Sequence, residues 1–150
     1  MSRESSQLTA GAYGLERYRN LQSPAVPDHE LARVVCVHRN SYTLATDKGG
    51  LPGKLSGQFS YSYTASETMP VSGDWVRIRH AGESALILDV LPRFSSVRRQ
   101  HPHLPGTMQV LAANLDVLFI LCTFEGARGI NLNRIDRYLS LFDSPQIQPV

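Results

Sequence analysis

Between Leu31 and Leu91 the chain offers five short strand-like runs, each closed by a turn signal, and this spacing constrains the fold more than any other feature. LARVVCVH (31–38) and NSYTLAT (40–46) meet at Arg39-Asn40, which reads as a hairpin. Asp47, Lys48, Gly49 and Gly50 make a second turn before LPGKLSGQFSYSY, whose Leu55 and Phe59 are placed to face a core. GDWVRIRH (73–80) sets Trp75, Arg77 and Arg79 against Val76 and Ile78, the alternation of a strand with one face in water. Ala81-Gly82-Glu83 then turns the chain into SALILDVL (84–91). Five such runs within about sixty residues predict a small closed β-barrel. The five-stranded OB-fold fits the strand number and size, and strand count alone also admits an SH3-like barrel.

The flanks differ in character. Residues 1–30 are polar, with Tyr13, Leu15 and Tyr18 as anchors and Pro24 and Pro27 near the end, and read as an extension with one short helix. After the barrel (31–92), RFSSVRRQHPHLPGTMQ holds Arg93, Arg98, Arg99, His101 and His103 and no acid. Its prolines and Gly106 mark residues 93–110 as a basic linker or extended arm. LDVLFILCTF (115–124) is a continuous apolar run, typical of a strand covered on both faces in a parallel sheet. NLNRIDRYLSLF puts Leu132, Ile135, Leu139 and Phe142 on one helical face, with Asn131 or Asn133 as N-cap, and IQPV opens another strand. Strand, helix, strand is the opening unit of an α/β domain, so residues 111–150 are expected to be an incomplete one. The fold class expected is mainly β with an α/β fragment.

Composition limits the function classes. No run reaches the roughly 18 apolar residues of a membrane span, and the N-terminal residues have no signal-peptide core. Cys36 and Cys122 both lie inside apolar runs, so both are expected to be buried thiols, a usage that fits the cytosol. Residues 31–110 carry nine Lys or Arg against five Asp or Glu, while each flank carries three against four. The middle is therefore net positive between slightly acidic flanks, a distribution that steers toward an anionic partner. Nothing in the sequence points to an oligomer.

Searches for catalytic constellations fail. GGLPGKL (49–55) resembles a phosphate-binding loop, but only three residues separate Gly49 from Gly53, and Leu55 stands where Ser or Thr is needed for Mg²⁺. His101-Pro102-His103 has no neighbouring Cys or carboxylate to complete a zinc set. Gly53 to Gly57 lacks the spacing of a nucleophile elbow. The binding candidates are basic. Arg93, Arg98 and Arg99 suit phosphates, or else belong to a solvated linker docked on carboxylates. An OB-fold binds oligonucleotides on its strand 2–3 face and the adjoining loops, which here brings His38, Arg39, Tyr42, Lys48 and Lys54 into consideration. Arg77 and Arg79 occupy the exposed face of their strand.

Read in order, ARVVCVHRNSYTLATDKG, LSGQFSY, MPVSGDWVRIR, ILDVLPRFSSVRR, QVLAANLDVLFILCTF and NLNRIDRYL resemble the ribosome small-subunit-dependent GTPase A family of circularly permuted bacterial GTPases. The resemblance covers about residues 31–150. Its most specific parts are Gly73-Asp74-Trp75-Val76, Leu91-Pro92-Arg93, Ala112 to Asp116 and Asn131 to Leu139. It implies an N-terminal OB-fold that docks on rRNA of the small ribosomal subunit, then a permuted GTPase domain, then a zinc-binding domain. It also implies that GTP, Mg²⁺ and a structural Zn²⁺ are held by segments following Val150, so this chain is expected to hold none of them. In that picture the chain is the front of a longer protein, cut before its guanine-recognition motif. A stand-alone OB-type interaction module is the alternative.

Overall fold

The computed structural model describes residues 9–22, 26–27, 30–62, 68–121, 132–140 and 148–149. Strands β1 (Leu31–Val37), β2 (Tyr42–Thr46), β3 (Gly49–Leu55), β4 (Trp75–Ala81) and β5 (Ser84–Val90) close a barrel in the order β1-β2-β3-β5-β4. All neighbours are antiparallel except β3 and β5, which run parallel. A β-hairpin cannot join parallel strands, so the chain crosses between them through helix α2 (Gly57–Ser62) and β4. This is the OB-fold arrangement expected from the five runs.

Two devices make the barrel close. One face of every strand points inward, and Ala32, Val34, Tyr42, Leu44, Val76, Ile78, Ala85 and Ile87 fill the interior. Full burial of side chains such as Leu44, Ile78 and Ile87 contributes about 1.5–3 kcal/mol each. Gly53 supplies the second device: a Cβ there would lie 2.6 Å from Leu44 Cδ1, so β3 can pass over Leu44 only with hydrogen at this position.

Several local expectations need correction. LPGKLSGQFSYSY is not one strand. Ser56 ends β3, and its Oγ accepts the Phe59 N–H at 3.1 Å, capping α2. Phe59 is buried from that helix instead of from a strand. Cys36 is exposed, because Val35 is an extra residue in β1: Val34 faces Leu44, but Cys36 faces Thr43 on the outer side. Cys122 lies outside the described residues. Trp75 is on the face expected to be wet, yet it is buried. Helix α1 (Leu15–Gln22) covers it, stacking Tyr18 on the indole at 5.1 Å between ring centroids.

The region expected to be a linker is a hairpin. Strand β6 (Ser96–Gln100) pairs antiparallel with β7 (Met108–Ala113), and Thr107 donates to the Leu104 carbonyl within the loop that joins them. Prolines 102 and 105 sit in that loop, where no ladder bond is lost. Beyond it, β8 (Val117–Leu118) pairs parallel with β9 (Gln148–Pro149), with α3 (Leu132–Leu139) between them in sequence. The expected strand-helix-strand order is present, but the long covered strand is not. Pairing ends at Leu118, and Phe119 and Leu121 are 69% and 92% exposed. Asn131, Phe142, the loop 125–130 and residues 122–124 lie outside the described residues.

Candidate nucleic-acid interface

Three of the stretches that carry the resemblance, around Gly73-Asp74, Arg93 and Asn114, meet on one seam between barrel, hairpin and N-terminal helix. Asp74 is fully buried and accepts from Arg93 Nε and a second Arg93 nitrogen, both at 2.7 Å, and from the Val71 N–H at 2.8 Å. Burial pushes its carboxyl above the usual range, and the Arg93 fork and the Val71 N–H pull the other way. Arg93 also donates to the Met69 carbonyl at 3.1 Å. Arg33, whose own burial lowers its pKa, donates to the carbonyls of Gly73, Tyr13 and Asn114 and lies over the Trp75 ring. Asn114, at φ +53°, accepts the Phe94 N–H and donates to the Gly73 carbonyl. Gly73 is at φ +92°, and a Cβ there would fall 1.9 Å from the Ala113 carbonyl oxygen. These residues hold elements together, and none presents a nucleophile.

The ten predicted binding residues separate into three sets. Arg93 and Arg77 are engaged in ion pairs: Arg93 with Asp74, and Arg77 with Asp89, which holds the guanidinium pKa up. Tyr42 is in the barrel core, and burial raises its pKa, so its ring is not a stacking platform. The outer face of β2 and β3 therefore has no contribution from the Tyr42 ring. Its alternation partner on the outer side, Thr43, accepts or donates to His38 Nε2 at 2.9 Å instead.

The remaining cations are spread over the surface. His38 and Arg39 are exposed in the β1–β2 loop, and Lys48 in the β2–β3 turn. Lys54 on β3 and Arg79 on β4 are exposed and both register opposite Leu86 on β5, which sets two positive charges on three adjacent strands. Arg99 is exposed on β6 and bonds Gln109 at 3.2 Å. Arg98 lies on the other side of the hairpin, half-buried, with Nε 2.9 Å from Ser96 Oγ. The arrangement suits contact with phosphates at several points and offers no exposed aromatic row for reading bases on β2 and β3. Among the described residues no three His, Cys, Asp or Glu side chains gather to hold a metal. No described helix is long and apolar enough to cross a membrane.

The fold and surface define a class: a basic OB-fold barrel, joined through a buried polar seam to a hairpin and a parallel strand-helix-strand unit. No family model matches the chain. Among curated proteins it is 32% identical over 129 residues to the small ribosomal subunit biogenesis GTPase RsgA of Opitutus terrae, covering 79% of this chain and 35% of that protein. It is 35% identical over 127 residues to RsgA of Syntrophotalea carbinolica, covering 79% and 34%. The structure resembles YjeQ from Thermotoga maritima with a TM-score of 0.52 at 21% identity, over 80% of this chain and 39% of that one, a likeness of fold. The chain is homologous to part of the RsgA GTPases, and it spans about a third of the length of these curated relatives.

Proposed function

We propose that this chain is the RNA-docking portion of a GTPase that acts in biogenesis of the small ribosomal subunit, working in the cytoplasm where its partner is made. The observation that carries the reading is the homology to RsgA over four fifths of the chain, on a barrel that exposes Arg39, Lys48, Lys54 and Arg79. Arg39, Lys48, Lys54, Arg79 and Arg99 make phosphate contacts, with His38 beside Arg39 in the β1–β2 loop. Arg93 acts indirectly by holding the seam, and Arg77 stays with Asp89 unless RNA displaces the pair. GTP hydrolysis belongs to the whole protein, with GTP and Mg²⁺ bound by other parts of it and a structural Zn²⁺ beyond those. Within this chain the role is binding.

Phosphate contacts release counterions, so affinity should fall steeply with salt. Five such contacts predict a loss of roughly 130- to 500-fold between about 50 and 200 mM salt. Co-sedimentation of the chain with purified small subunits across that range tests this. A salt-independent association, or none at low salt, would remove the RNA-docking role.

A further inference from the structure

Where α2, the end of β5 and the hairpin meet, the surface opens into a cleft of about 410 Å³ lined by Phe59, Thr68, Val90, Leu91, Pro92, Arg93 and Arg98. Its volume is in the range of small-ligand sites. Phe59, Val90, Leu91 and Pro92 form an apolar side, and the cationic side is Arg93 and Arg98, with Arg93 paired to Asp74. Arg98 is the unusual member. Leu111 is an extra residue in β7, so Val97 faces Ala112 but Arg98 faces Val110. Arg98 shares its side of β6 with Ser96, two residues before it, and the bulge in β7 brings buried Val110 round to that same side, so Arg98 lies on the inner side of the hairpin opposite Val110. Arg99, one residue on, faces Gln109 on the outer side. A regular ladder would have set Leu111, not Val110, opposite Arg98. Ser96 Oγ then steadies the guanidinium from behind.

We infer that this cleft holds one unstacked nucleotide of a single-stranded RNA, its base against Phe59, Val90 and Pro92 and its phosphate on Arg98. The inference rests on the RNA-docking reading and supplies what the β2–β3 face lacks, an apolar surface beside a fixed cation. Splayed bases are bound in this way, by apolar or aromatic contact on the ring and a guanidinium on the backbone. An amphipathic anion of this size matches both walls, whereas a bare phosphate would use only one.

The test follows backbone amide NMR shifts of the full 150-residue chain on titration with adenosine 5′-monophosphate, inorganic phosphate and fluorescein-labelled octauridylate. Adenosine monophosphate should move Val90, Leu91 and Arg98 saturably, and phosphate alone should not. Arg98→Gln and the cleft-filling Thr68→Phe should each weaken octauridylate by about tenfold, the size of one lost base and phosphate contact. Arg39→Ser with Lys48→Ser serves as the comparison, weakening subunit association while leaving the mononucleotide shifts in place. If both cleft variants bind octauridylate as the parent does, the cleft assignment is overturned and surface docking stands. If phosphate reproduces the shifts, or octauridylate does not bind the parent chain at all, the nucleotide assignment is also overturned.

Discussion

The barrel with its seam and the β8-α3-β9 unit are built from equally apolar sequence, yet they end in opposite states. In the barrel every strand has two neighbours, and its inner side chains are nearly all below one-tenth exposed. In the second unit two residues pair with two, and Phe119, Leu121 and Leu132 face outward. The difference is one of closure, not hydrophobicity. A closed sheet satisfies its own backbone and hides its own interior, whereas a parallel pair needs further strands and helices on both faces. The seam extends the closed region past the barrel to the hairpin, through Arg33, Asp74, Arg93 and Asn114.

That contrast can be tested by substitution. The largest effect is expected at Gly73, where alanine brings both a strained φ and a clash with the Ala113 carbonyl. Gly73→Ala should cost about 3–4 kcal/mol, read as a lowered urea midpoint, and a loss under about 1 kcal/mol would show that the seam yields easily. Asp74→Asn keeps the shape but leaves Arg93 buried beside a neutral partner, and about 3 kcal/mol should be lost. An unchanged melting curve would mean that this pair is not part of what holds the barrel.

A smaller effect depends on pH. Tyr18, whose hydroxyl donates to the Pro92 carbonyl at 2.9 Å, has its pKa pushed up to about 12 by burial first and the Asp74 charge second. Because the folded state holds this proton more tightly, the stabilisation is complete below pH 10 and is lost as pH rises toward 12. Unfolding free energy should therefore drop by up to about 2 kcal/mol across that window, and Tyr18→Phe should flatten the drop. An equally steep alkaline decline in the phenylalanine variant would assign it to other groups. The smallest effect belongs to the open unit: Phe119→Ser should change stability by less than about 0.5 kcal/mol. A loss of 2 kcal/mol or more would show that Phe119 is packed in solution.

Much of the barrel was legible because alternation and glycine-bearing turns are local signals. Val76 and Ile78 announced their strand, and Asp47-Lys48 announced the turn before β3, although Gly49 and Gly50 belong to the strand itself. What escaped depends on contacts distant in sequence or on single-residue slips. Nothing near Trp75 foretells that Tyr18 will cover it from 57 positions away. A bulge at Val35 reverses the facing of Cys36, and another at Leu111 reverses that of Val110, without any change in composition. The arginine-rich segment read as an arm because its turn residues are plain, while its pairing partner, MQVLAA, carries little alternation. Arg93 and Tyr42 looked like binding residues because residue type is visible in sequence and burial is not.

The stacking of Tyr18 on Trp75 also has an optical consequence. The chain has one tryptophan, and that indole sits at the seam beneath α1, with the Arg33 guanidinium 5.6 Å from its ring. Its emission therefore reports whether the N-terminal helix is seated, not whether the barrel interior is intact. A red shift that precedes the loss of β-sheet ellipticity would be the signature of that helix lifting away from a barrel still closed.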